Sequence, residues 1–268
     1  MNHEKRNSKM LRRNECAVVV PCFNEARRIQ RESFIEFVEH HDWVSLIFVN
    51  DGSRDDTLEI LMQLAEHPSK RIHVVNLKEN QGKGEAVRQG MQKAMADGFE
   101  FFGYLDADLA TPLDAVPRLV GVFHQFPEFW MVIGSRVQLL GRVIKRKMIR
   151  HYLGRIFATV VSIILKLPVY DTQCGAKFFR NQAATELVFQ RKFISRWIFD
   201  VEIIKHMISI KVSNRISEPG KRIYEMPLDR WEEIAGTKLR SRDFVRAFTE
   251  LFKIYRLDFS QDTIETDI

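Results

Sequence analysis

Cysteine is scarce in this chain. Three cysteines in 268 residues, Cys16, Cys22 and Cys174, are an odd number at spacings that suit neither a disulfide framework nor a zinc site. They point to a reducing compartment. Long apolar runs are also missing. The longest, Ile156–Leu165, has ten residues, about half of the ~20 that a bilayer-crossing helix needs. No secretory leader is expected, because the first 15 residues are charged and polar. A phosphate loop of the Gly-Lys-Ser/Thr type is excluded, since neither Ser nor Thr follows Gly82-Lys83. A dinucleotide fingerprint is excluded because Val87 stands where its third glycine belongs.

What is present belongs to an ordinary folded protein. Apolar residues make up 45% and charged residues 28%, and 20 Phe argue against disorder. At roughly 150 residues per domain, the length allows one large or two small domains. Lys and Arg number 41 against 35 Asp and Glu, a net charge of +6. No nucleic-acid-binding motif accompanies that excess, so nucleic acid is not an expected partner.

From Cys16 onward, short β-branched runs alternate with helical patterns. The strands are expected at Ala17–Val20, Val44–Val49, Ile72–Val75, Phe101–Leu105 and Met131–Ile133. The clearest helix is Asp56–Glu66, where Leu58, Leu61, Met62 and Ala65 recur at helical spacing. This alternation predicts a mostly parallel α/β sheet with flanking helices and ligands at the carboxyl ends of its strands. A helical segment is expected around Trp197–Met207. The last helix, Asp243–Tyr255, should carry Phe244, Val245, Phe248, Leu251 and Phe252 on one stripe.

The strand ends carry the chemistry. Asp106 and Asp108 follow the strand Phe101–Leu105, and two carboxylates at that spacing can reach one hard cation such as Mg²⁺ or Mn²⁺. A solvated acidic turn is the plain alternative. Asp51 ends a second strand and can accept hydrogen bonds from a base or ribose, or cap the next helix. Capping falls more naturally to Ser53, Asp55 or Asp56. Asn80-Gln81-Gly82-Lys83-Gly84 opens a helix with two glycines and a cation, which suits a phosphate or ribose.

Later, Gly141–Arg155 holds six Lys/Arg and no acid and leads into the apolar run. Gly141–Leu167 reads as an interfacial helix, with cations toward anionic headgroups and an apolar face in the acyl boundary. The alternative is a helix packed on the sheet with a solvated basic face.

Taken in order, Pro21-Cys-Phe-Asn24-Glu25, Asn50-Asp51-Gly52-Ser53-x-Asp55-x-Thr57, Asn80-x-Gly82-Lys83-Gly84 and Asp106-x-Asp108 resemble the inverting family 2 glycosyltransferases of GT-A fold. The second half is similar to the polyprenyl-phosphate branch. Its motifs are Gly134-Ser135-Arg136, the basic segment to Arg150, Asp171-Thr-Gln-Cys-Gly175-Ala-Lys177, Phe199-Asp200-x-Glu202 and Trp231-x-Glu-Ile-x-Gly236-Thr237-Lys238. The dolichyl-phosphate glucosyltransferases match best. Ala110 stands where the mannosyl branch usually has Gln, which weakens a GDP-mannose reading.

Residues 1–14, charged and without apolar periodicity, are expected to form a loose arm, and the resemblance, which covers about residues 16–242, implies a catalytic domain at 15–242, with a donor half at 15–135 and an acceptor half at 136–242. A C-terminal helix and acidic tail complete it at 243–268. It implies a nucleotide-sugar donor, UDP-glucose, bound by Pro21, Asn24, Glu25, Asp51, Gly82, Lys83 and Asp106, with Mg²⁺ or Mn²⁺ on Asp106 and Asp108. It implies a polyprenyl phosphate acceptor held by Arg136, Arg150 and Lys238. Asp171 is the candidate general base, or else it orients Arg136 or Lys177. The expected location is peripheral, on the cytoplasmic face of a membrane. The rivals are a transferase with a soluble sugar or protein acceptor and a non-catalytic membrane protein on the same scaffold.

Overall fold

The structure, a computed structural model, describes residues 15–146, 148–213, 215–216, 221–234, 241–259 and 261–264. The expected arm at 1–14, Lys147, Lys238 with its loop, the last residues of the tail, and the side chains of Arg150, Phe244 and Val245 lie outside the described residues.

The strands are β1 (Cys16–Cys22), β2 (Val44–Asp51), β3 (Ile72–Leu77), β4 (Phe101–Leu105), β5 (Met131–Ser135), β6 (Val143–Lys145), β7 (Ala176–Arg180), β8 (Lys211–Val212), β9 (Arg215–Ile216), β10 (Ile223–Pro227), β11 (Arg230–Glu232) and β12 (Thr263–Ile264). The α-helices are α1 (Arg31–His40), α2 (Thr57–Ala65), α3 (Lys83–Ala96), α4 (Val116–Gln125), α5 (Met148–Leu165), α6 (Ala183–Gln190), α7 (Phe199–Ser209) and α8 (Ser241–Arg256). Each of the five expected strands is found, extended by no more than two residues at either end.

Seven strands form the main sheet in the order β10-β5-β7-β4-β1-β2-β3. All neighbours are parallel except β7, which runs antiparallel to both β4 and β5. The mostly parallel α/β expectation therefore holds. Strands of both expected halves share this one sheet.

Burial follows from the layering. All eight residues of β2 are buried, as expected when helices cover both sheet faces and the strand needs no polar side. One face packs Val18, Leu46 and Phe48 against Phe34, Leu61 and Leu119 of α1, α2 and α4. The other packs Val19, Ile47 and Tyr104 against Val87, Phe157, Val188, Ile203 and Leu251 of α3, α5, α6, α7 and α8.

Two expectations change. The basic segment is not one helix from Gly141. Val143–Lys145 is extended and pairs with β11, and the helix starts only at Met148. The cause is tertiary pairing: Arg142 donates to Pro227 O at 2.7 Å and Val143 N to Asp229 O at 2.8 Å. On α8 the expected stripe divides. Leu251 enters the core beside Ala247 and Ile254, while Phe248 and Phe252 stay exposed. Among the described residues, no helix is long and apolar enough to cross a membrane.

Helix α3 lies so close to β1 and β2 that a methyl group at Gly90 would overlap Val19 and Val49. Gly90→Ala should gain about 1 kcal/mol of helix propensity yet lose more to overpacking, typically about 1–3 kcal/mol. Thermal unfolding should show a lower Tm. A Tm at or above wild type would contradict this packing.

Candidate active site

The carboxyl ends of β1, β2, β4 and β5 converge with the start of β7 and the N-terminus of α7. Loops begin there because each strand ends on a polar or glycine-rich segment that the sheet cannot continue.

Asp106 and Asp108 lie in the turn after β4. Asp106 packs flat on Gly175, just before β7, where any side chain would overlap its carboxylate. The ammonium of Lys83 stands 2.5 Å from Asp106 Oδ1, out of hydrogen-bond alignment. Burial opposes the Lys83 charge, but Asp106, Asp200 and Asp108 outweigh it and hold the ammonium above its ordinary range. Burial, and then the charge of Asp106, push Asp108 above the usual carboxylate range. The Ala110 N–H, Lys83 and Arg28 pull the other way. Asp108, crowded by the neighbouring Asp106 carboxylate, is a place where a cation would be stabilising. No third His, Cys, Asp or Glu joins them among the described residues. A Mg²⁺ or Mn²⁺ ion fits this pair if a ligand's phosphates complete its shell.

Beneath Lys83, Lys177 is fully buried. It donates to Cys174 O at 2.6 Å and pairs with Asp200, which also accepts from Tyr104. Asp200 is thus the partner of Lys177, and Asp171 is not.

On the β1–β2 side, Asp51 is 2% exposed. Its Oδ1 accepts Gln81 N at 2.7 Å; its Oδ2 accepts Gly82 N and the Asn80 amide, each at 2.9 Å. It does not cap α2, whose N-cap is Asp56, while the preceding Asp55 accepts Thr57 N at 3.1 Å. Asp51 instead holds the glycine loop. Asn24 accepts Arg54 N at 2.8 Å, and Glu25 is clamped by Arg28, whose Nε lies 2.6 Å away. Pro21 is partly buried at the end of β1. Pro21, Asn24 and Glu25 thus lie in or just after the end of β1, with Asn24 and Glu25 fixed by these contacts.

Arg136 follows β5 and grips Asp171 with two bonds, 2.6 and 2.7 Å, while its guanidinium lies over Trp231 at 5.1 Å. The Asp171 backbone N–H donates in turn to Glu225 on β10 at 2.7 Å. Burial would raise the Asp171 carboxyl, but Arg136 wins and holds it far below the usual range. A carboxylate so held is a poor proton acceptor. Of the two roles expected for Asp171, this geometry favours orienting Arg136.

Motif reading missed several residues. Arg146 has no hydrogen-bond or ion-pair partner among the described residues. Burial, and then the charge of Arg136, push it down to about 10. It lies across Gly154 of α5, where a side chain would displace it. Arg196 also reaches the site, donating to Asn80 Oδ1 at 2.8 Å. The glycine of the DTQCG motif was the available signal for the close approach of Asp106. No sequence signal marked which arginine would lack a carboxylate.

Comparison with known proteins shows the family and the fold. The family model "Glycosyl transferase family 2" matches residues 17–188. A dolichyl-phosphate beta-glucosyltransferase of Trichomonas vaginalis is 30% identical over 251 residues, covering 89% of this chain and 72% of the relative. That of Drosophila melanogaster is 32% identical over 239 residues, covering 84% and 69%. That of Saccharomyces cerevisiae is 31% identical over 243 residues, covering 83% and 68%. Among solved structures, glucosyl-3-phosphoglycerate synthase from Mycobacterium tuberculosis, in complex with Mn²⁺, UDP-glucose and phosphoglyceric acid, superposes with a TM-score of 0.65. It shares 19% identity and covers 91% of this chain and 81% of its own. That likeness shows the fold.

The Arg136–Asp171 pair has a pH signature. The folded-state pKa of Asp171 lies below an unfolded value of about 3.9. Its stabilisation is therefore complete above that value and is lost as pH falls through the folded one. Asp171→Asn should cost about 3–5 kcal/mol at pH 7 by leaving Arg136 uncompensated. The Tm gap between wild type and variant should shrink on acidification below pH ~4. A gap that does not change with pH would contradict the pairing.

Proposed function

We propose a reaction for this chain, which belongs to glycosyl transferase family 2 and is a glycosyltransferase: it moves glucose from UDP-glucose to the phosphate of a polyprenyl phosphate, inverting the anomeric centre. The observation that carries this reading is the division of charge across one cleft. Asp106 and Asp108 crowd one side, where Asp106 raises the Asp108 carboxyl, and on the other side Arg146 makes no hydrogen bond or ion pair among the described residues. A nucleoside diphosphate with its metal complements the first, and an acceptor phosphate the second.

On the donor side, Asp51 holds Gln81 and Gly82 so that the loop can close against the nucleotide, with Pro21, Asn24 and Glu25 as the opposite wall. Lys83 and Asp106 face the diphosphate. A divalent ion on Asp106 and Asp108 supplies Lewis-acid neutralisation of the leaving group. Mn²⁺ and UDP-glucose in the structural neighbour support that assignment.

On the acceptor side, Arg146 and Arg136 hold the phosphate, with Arg150 and Lys238 as the further cations expected from the motifs. A phosphate monoester's second pKa is about 6, so the nucleophile is already an anion at neutral pH. No general base is required, which agrees with Asp171 being committed to Arg136.

A lipid-linked acceptor calls for a membrane surface, and two features support peripheral binding there. Met148, Tyr152, Ile156 and Ile163 form an exposed stripe on α5, and Phe248, Phe252 and Tyr255 another on α8. The two helices touch through Phe157 and Phe248. From Gly141 to Tyr170 the sequence contains no acid, which suits an anionic leaflet on the cytoplasmic side.

The direct test incubates the chain with UDP-glucose or GDP-mannose, a polyprenyl phosphate, and Mg²⁺ or Mn²⁺. A β-linked glucosyl phospholipid should form from UDP-glucose and vanish in EDTA. Asp108→Asn should lose about 10²–10³ in rate. Normal turnover of that variant in EDTA would refute the metal role. A second test is flotation with anionic vesicles. Binding should weaken with salt, and Ile156→Ser with Phe252→Ser should remove the part that salt does not. A wild-type chain that ignores such vesicles at low salt would favour a soluble acceptor.

A further inference from the structure

We propose that Arg196 is a positioning residue for the donor: through Asn80 it braces the loop whose amides Asp51 holds. The inference rests on the proposed donor half-reaction and adds to it a residue outside the expected donor set.

The guanidinium reaches Asn80 twice, donating through Nη2 to the side-chain Oδ1 at 2.8 Å and to the backbone O at 3.2 Å. The Asn80 amide then donates to Asp51 Oδ2 at 2.9 Å. Two residues further on, Arg196 lies on Gly82. A Cβ there would meet Arg196 Nε at 2.7 Å, and φ is +98°. Gly82 therefore serves two purposes, allowing that backbone turn and leaving room for the arginine. Its carbonyl accepts Ala86 N at 3.1 Å, the first hydrogen bond of α3. The brace thus acts at the helix terminus that carries Lys83.

Arg196 itself sits on a segment that is anchored from two helices. Glu202 of α7 accepts Ile194 N at 3.0 Å and Ser195 N at 3.3 Å. The Ser195 hydroxyl accepts Trp197 N at 3.1 Å and Ile198 N at 2.7 Å, and donates to Glu250 of α8 at 2.5 Å. Both carboxylates are buried. The segment is rigid at its base and presents its one cation outward, toward the loop. Burial pushes the Asp51 carboxyl up, and the Gln81 and Gly82 amides and then Arg196 pull it back toward the ionised form. An ionised Asp51 is what the amides of Gln81 and Gly82 require.

Because Arg196 is exposed, its removal should leave the fold intact. In Arg196→Ala, without nucleotide, hydrogen exchange should accelerate at the Gln81 and Gly82 amides and not at the α7 amides. UDP affinity and the donor KM should worsen roughly tenfold, the scale of one lost charged hydrogen bond. The acceptor KM and Tm should not move. Arg196→Lys should recover part of the loss, since an ammonium keeps one donor on Asn80. Asn80→Ala breaks the same chain, so combining it with Arg196→Ala should cost little beyond Asn80→Ala alone. Unchanged exchange at Gln81 and Gly82 in Arg196→Ala, or fully additive losses in the double variant, would overturn the inference. A wild-type chain that binds neither UDP nor GDP would overturn the proposed function, and the exchange measurement would still judge the brace.

Discussion

Lys83 lies between Asp106 and the buried Asp200, with Asp108 close by, and the electrostatics of this small volume organise much of the molecule. Three carboxylates at one sheet edge repel one another, and each added cation offsets only part of that cost. Lys177, fully buried beneath them, is committed to Asp200 and Cys174 O. Lys83 is committed to Asp106. Asp108 is left with a raised pKa and backbone help from Ala110 alone. The same crowding explains Gly175, since only a glycine lets β7 approach the Asp106 carboxylate. The antiparallel insertion of β7 between β4 and β5 brings that glycine there.

Across the cleft the imbalance has the opposite sign. Arg136 and Arg146 are neighbours; Asp171 pairs directly with Arg136 and acts on Arg146 only at longer range. The pair therefore acts as one oriented guanidinium on a Trp231 face and one cation with no hydrogen bond or ion pair among the described residues. In the proposed reaction, an anionic acceptor entering between the two sides would meet positive charge from Arg146 and, at Asp108, a diphosphate with its metal. This complementarity needs no proton transfer, and the low pKa of Asp171 accords with that.

Much of this could be read from the residues. The strands were legible because both sheet faces are covered, so each reads as a short apolar run ending on a polar motif; β2 is the plainest case. The motifs at Asp51, Gly82, Lys83 and Asp106 were legible because each combines a special backbone with a charged group. Partner choice was not. Nothing local in the sequence says that Asp171 takes Arg136, that Asp200 takes Lys177, or that Arg196 crosses from residue 196 to Asn80. The basic segment misled because its charges suggested one surface helix, whereas β11 draws Val143–Lys145 into an extended pair. The α8 stripe divided for a related reason. Periodicity marks an apolar face, but only tertiary packing shows that Leu251 turns to the core and Phe252 away from it.

The central claim is that Asp106 and Asp108 form an incomplete cation site which the donor diphosphate finishes. Calorimetric titration of Mn²⁺ into the wild-type chain, with and without saturating UDP, tests it most directly. Weak binding alone, strong tightening with UDP, and an equal tightening of UDP by Mn²⁺ are the predicted results, because coupling between two ligands is reciprocal. Mn²⁺ affinity that is indifferent to UDP, or that survives Asp108→Asn unchanged, would contradict the account.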